Sequence, residues 1–204
     1  TNYFPQPDTL PFRLLSLTAI SGEFPTSQLN RLPASPYYLE AVVTALKKAG
    51  LLRTYYRDRL RGYRLGIKAK SALLDGWPER FTFCLTGDAE TNRLKSEANR
   101  RFRLHRLAET YITMGNAGVL LYPDEKPKVF AQTGFGGETV TYPAFYSSRE
   151  VKELGADATQ IRSSRFAGVL LVPTGIFVTY NSGSALMKWR YKSELRVKTL
   201  LWNI

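Results

Sequence analysis

Apolar and polar positions in the first 75 residues switch between helical and strand periodicity. "DTLPFRLLSLTAI" places Leu10, Leu14, Leu17 and Ile20 near helical spacing, with Asp8 or Thr9 as a cap. "PTSQLNRLP" opens at Pro25 and closes at Pro33, which leaves room for a short helix only. "SPYYLEAVVTALKKAG" predicts a third helix, with Ser35 as N-cap and Pro36 at the first helical position. It ends with Lys47 and Lys48 in the last turn and Gly50 as the stop. Leu39, Val42, Val43 and Leu46 recur at i, i+3, i+4 and i+7 and so form its buried face. Tyr37, Ala41, Thr44 and Lys48 fall opposite, where the core does not need them. From residue 51 the pattern turns to a hairpin: Leu51, Tyr55, Tyr63 and Leu65 flank a polar tip, "RDRLRG", with Gly62 expected in the turn. "DGWPER" breaks the next helix at Gly76 and Pro78 and is the expected joint between domains at 1–75 and 80–204.

Beyond the joint, "RFTFCLTG" reads as a short strand. Residues 88–114 then contain no proline and no glycine and read as one long helix. Leu104, Leu107, Ala108, Tyr111 and Ile112 would bury its C-terminal half. Arg93, Lys95, Arg100, Arg101, Arg103 and Arg106 ring its N-terminal half, the pattern of a solvated helix. "AGVLLYPDEKPKVFAQ" predicts strand, turn and strand, and its opening recurs between Ala117–Pro123 and Ala167–Pro173, as two similar hairpins of one sheet would give. "SSREVKELGA" suits a helix after Ser147 or Ser148, and "SALMKWRYKSELRVKTLLW" a closing helix from about Ser184. The fold class expected is α+β, the second domain being a mixed α/β one.

Charge changes the picture most at the hairpin. The 204-residue chain carries a net charge of +12 and favours a polyanionic partner. Half of that excess lies in residues 1–75, and seven cations stand between Arg53 and Lys70 against Asp58 alone. Three helices followed by a basic hairpin make the winged helix-turn-helix order, in which the third helix reads the major groove and the hairpin lies over phosphates. "ALKKAGLLRTYY…GYRLGIKAKSALL" resembles the end of the recognition helix, the wing and the following helix of many bacterial winged-helix proteins. The candidate DNA-facing residues are therefore Tyr37, Tyr38, Ala41, Thr44, Lys47 and Lys48 on the helix. On the hairpin, Arg53, Arg57, Arg59, Arg61 and Arg64 would hold phosphate or reach the minor groove. The expected partner is double-stranded DNA, and a winged helix that docks on protein is the competing reading.

The second half carries a looser resemblance. A winged helix followed by "HRLAE" and then "PAFYSSREVKEL…SSRFAGVLL…FVTYNSG" resembles the replication-relaxation proteins of Gram-positive plasmids and integrated mobile elements. The resemblance implies a DNA-binding accessory of element replication or transfer, working with replication or conjugation proteins. It also implies a restriction-endonuclease-like fold for the second domain, often without intact catalytic residues.

Catalysis has thin support. A metal nuclease of that fold needs an acid and a nearby E-x-K on a strand. The closest spelling is Glu150–Val151–Lys152, with Glu109 as the upstream acid, but "SSREVKEL" reads as helix. His105 is the single histidine and Cys84 the single cysteine, too few for a structural zinc site built from those ligands or for a histidine-pair nickase. "TGFGGET" lacks the lysine of a phosphate-binding loop and reads as a plain loop. The expectation is a protein without cofactor or metal, with His105 half-buried on its helix and bonded to a neighbour. A lone thiol fits a reducing cytoplasm, and no apolar run approaches the ~20 residues of a membrane span.

Overall fold

Helix α1 (Leu10–Ser21) begins where the Thr9 hydroxyl accepts from the Phe12 amide, and from Leu14 onward every residue is buried. Thr18 and Ser21 enter that core with their hydrogen bonds made, donating to the carbonyls of Leu14 and Leu17 at 2.6 Å. A short strand β1 (Phe24–Pro25) and a 3-10 turn (Thr26–Arg31) lead to helix α2 (Pro36–Lys48), capped by Ser35. Strands β2 (Leu52–Arg57) and β3 (Leu60–Leu65) form an antiparallel hairpin, and β1 pairs with β3, giving the order β1-β3-β2. Helices α3 (Ile67–Gly76), α4 (Pro78–Leu85) and α5 (Ala98–Asn116) follow. This computed structural model describes residues 3–87, 97–127, 141–154 and 166–183, with Tyr191 and Leu195; for 152–154 it describes the backbone alone. The fold is α+β. No helix among the described residues is long and apolar enough to cross a membrane.

Three expectations change here. The hairpin turn is Asp58–Arg59, both at positive φ (53° and 59°), and Gly62 sits inside β3. Next, "RFTFCL" lies in helix α4, not in a strand: Pro78 opens it, and Phe81, Cys84 and Leu85 bury at i, i+3 and i+4. Finally, the compact units divide between Thr113 and Met114, so the break at Gly76–Trp77 lies within the first unit. Trp77 explains why: its ring packs 4.7 Å from that of Phe12 in α1.

In the second unit, β4 (Ala144–Ser147), β5 (Phe166–Val172) and β6 (Gly175–Tyr180) form an antiparallel sheet in the order β4-β5-β6. Helix α6 (Ser148–Leu154) follows β4 directly and buries Val151 with Ala144, Tyr146, Phe166, Val169 and Leu171. The second strand expected after the earlier "AGVLL" segment lies outside the described residues, so the two segments compare only in their opening halves. The later segment forms β5, while among the described residues the earlier one makes a parallel bridge from Leu120 to Ala144. Arg93, Lys95, the segment "VFAQ", the loop "TGFGGET" and most of the closing helix lie outside the described residues.

Candidate nucleic-acid interface

Helix α2 sets its side chains by burial. Leu39 and Leu46 are wholly buried, with Val42 and Val43 nearly so. The opposite row is thereby forced outward: Tyr37 is 84% exposed, Tyr38 49%, and Ala41, Thr44, Lys47 and Lys48 are exposed with them. On the hairpin, strand alternation and register place Leu52, Thr54 and Tyr56 on one face with Arg61, Tyr63 and Leu65. The root of this face (Leu52, Tyr63, Leu65) is buried, while its outer end presents Tyr56 and Arg61 to solvent. Arg53, Arg57 and Arg59 are exposed as well. The first unit thus carries the expected helix row and four of the five expected hairpin arginines on its surface.

Arg64 leaves the set. It is 3% exposed, and its Nε and Nη2 reach Glu23 Oε2 at 2.8 and 2.7 Å. A guanidinium buried against a carboxylate is not available to a phosphate. Arg101, expected on a solvated helix face, is instead fully buried. Its Nε lies 3.1 Å from both Glu23 oxygens and its Nη2 2.5 Å from Oε1. His105 completes the cluster, half-buried as its position predicted, with Nε2 2.8 Å from the same Oε1. The Tyr55 ring faces both guanidinia, 4.0 Å from Arg64 and 4.7 Å from Arg101. Gly62 is required here for a reason the sequence does not signal: a Cβ at that position would overlap the Glu23 carboxylate.

Burial alone would push the Glu23 carboxyl up, but hydrogen bonds from His105, Arg101 and Arg64 outweigh it and bring the pKa down to about 2. A depressed folded-state pKa gives stability that is present above the unfolded value of about 4.5 and lost as pH falls toward 2. Acid titration is therefore expected to remove roughly 3 kcal/mol between those limits. Unfolding free energies measured in urea at about pH 6, 4 and 2.5 check this, and Glu23→Gln should flatten that part of the profile.

The alternative catalytic residues are placed differently. Glu109 pairs with Arg31 at 3.6 Å on the surface of the first unit. Glu150 closes a capping box at the start of α6: its Oε2 accepts from the Ser147 amide at 2.7 Å, and Ser147 Oγ faces the Glu150 amide. Its other oxygen accepts from the buried Lys126, which also donates to the Phe145 carbonyl at 3.0 Å. The Glu150–Val151–Lys152 stretch is helical, as its neighbours predicted, and the Lys152 side chain lies outside the described residues. No group of three or more His, Cys, Asp or Glu side chains among the described residues could hold a metal ion. Purified protein is expected to leave supercoiled plasmid intact with Mg²⁺ or Mn²⁺; nicking that vanishes in Glu150→Ala would contradict this. Comparison with family models, curated proteins and solved structures returns no match to the chain.

Proposed function

We propose that the first unit is a winged helix that binds double-stranded DNA, with α2 in the major groove and the β2–β3 hairpin against the sugar-phosphate backbone. In support, α1, β1, the 3-10 turn, α2 and the hairpin follow in the winged-helix order, and the short first strand pairs with the last. The observation that carries the reading is the surface itself: a row of small and hydrogen-bonding residues on α2 beside four exposed arginines on the hairpin. The tip adds weight. A two-residue turn with both φ positive favours Asn-Gly, yet Arg59 stands at its second position at a cost of about 1 kcal/mol. A strained cation kept at a solvent-facing tip points to use rather than to packing.

On this reading the protein is a cytoplasmic accessory or regulator of replication or transfer for a plasmid or integrated element, acting on DNA beside replication or conjugation proteins. Its role is binding and not catalysis. The test is a titration of the full chain onto a fluorescent duplex of about 20 base pairs over a range of salt. Arg59→Ala plus Arg61→Ala should weaken binding to all sequences alike. The slope of log affinity on log salt should shrink by about 0.9 for each phosphate the hairpin no longer neutralises. An unchanged slope would take the hairpin out of the interface.

A further inference from the structure

Arg101 lies on α5, beyond the helices and hairpin assigned to DNA, and no step of that assignment uses it. Yet its guanidinium does more than pair with Glu23. Nη1 donates to the Arg57 carbonyl at 2.6 Å, and Nη2 to the carbonyls of Leu60 at 3.0 Å and Tyr55 at 3.3 Å. These three carbonyls bracket the Asp58–Arg59 turn. Carbonyl oxygens carry two lone pairs, so they can accept from Arg101 without giving up ladder bonds. A flat fork with five N–H donors in fixed geometry can hold a carboxylate and both strands of a hairpin at once; a lysine ammonium cannot.

We propose that Arg101 is a positioning residue for DNA binding: through the carbonyls of Tyr55, Arg57 and Leu60 it fixes where the Arg57, Arg59 and Arg61 side chains stand. The proposal rests on the winged-helix reading for its DNA consequence, but the fastening itself is independent of DNA. A two-stranded ribbon projecting into solvent is only marginally ordered by its own ladder. Anchoring its backbone to a buried ion cluster supplies the order in advance, so phosphate contacts form without first stiffening the hairpin. Tyr55, with its ring against both Arg64 and Arg101, holds the same root from the side-chain direction.

The experiment uses the full chain as wild type, Arg101→Lys, Arg57/Arg59/Arg61→Ala and the combination. Arg101→Lys keeps a positive charge beside Glu23 and loses the fork. If it does not fold, Arg101→Gln replaces it, because Glu23 and Arg64 still balance in charge. The first readout, without DNA, is hydrogen exchange at the amides of residues 57–61, expected to quicken at least about tenfold in Arg101→Lys while α1 amides stay protected. Unchanged exchange overturns the proposal. The second is duplex affinity, expected to fall about tenfold in the wild-type background and less than about twofold once the three arginines are alanine. Equal losses in both backgrounds would make Arg101 a general structural residue and overturn the positioning role. Failure of wild type to bind duplex would refute the DNA reading alone and leave the exchange result to decide the fastening.

Discussion

Glu23→Gln is expected to cost the first unit about 3–5 kcal/mol, the largest stability loss of any single substitution outside its apolar core. The glutamine matches the carboxylate in shape, so packing is kept, but the charge is lost and an N–H donor replaces one acceptor oxygen facing the guanidinia. What remains is two guanidinia, 3% and 0% exposed, without a counter-charge. Burying a cation without an anion costs far more than the pair contributes when intact, which is why breaking such a pair from the shared side is severe. Arg101→Met should cost less, since Glu23 would still hold Arg64 at 2.7 Å and His105 at 2.8 Å. The order Glu23→Gln worse than Arg101→Met is thus part of the expectation. Urea unfolding of wild type and both variants at about pH 7 measures it; a loss near ~1 kcal/mol for Glu23→Gln would mean water reaches the cluster.

Thr44→Glu is expected to abolish specific DNA binding, with a loss of a few kcal/mol, roughly a hundredfold or more in affinity. Thr44 stands on the exposed row of α2, in line with Ala41 and Lys48 and opposite Leu39, Val42, Val43 and Leu46. A small residue at 41 lets the helix approach base edges, and the Thr44 hydroxyl and methyl suit a base edge or a thymine methyl. A carboxylate there meets phosphates and base acceptors and is repelled. Because the position is exposed, folding should change by no more than about 0.5 kcal/mol. Paired melts and anisotropy titrations separate the two effects; full affinity in a folded Thr44→Glu protein would favour protein docking by this helix.

How much of the fold is legible in the sequence varies with the range of the interaction. Helix α2 can be read residue by residue, because Ser35, Pro36, Lys47–Lys48 and the apolar spacing are all local signals. The hairpin strands are legible from alternation, but the turn is not. Gly62 has the residue type of a turn, yet it serves the close approach of Glu23, while Asp58 and Arg59 take the positive φ values. The "RFTFCL" stretch is too short for periodicity to separate strand from buried helix; Pro78 and Glu79 at its start are the deciding signal, and the aromatic alternation masks them. The ion cluster is least legible. Glu23 meets Arg64 across 41 residues and Arg101 across 78, and nothing in the run of cations on α5 marks Arg101 apart from its neighbours. A lone acid between Gly22 and Phe24, directly after a helix buried along most of its length, is the one available hint. In the second unit the helical state of Glu150 follows from its neighbours, but its partner Lys126 gives no sequence signal.

Whether α2 reads base edges in the major groove is tested most directly by methylation interference, on duplexes that the full chain selects from a random pool. Methylating guanine N7 blocks a major-groove acceptor and leaves the minor groove unmarked. The expected result is a short enriched site in which N7 methylation at its centre prevents binding. Thr44→Glu should enrich no site at all. A wild-type protein that selects no sequence, or binds its site equally well when every guanine N7 is methylated, would contradict major-groove reading by α2.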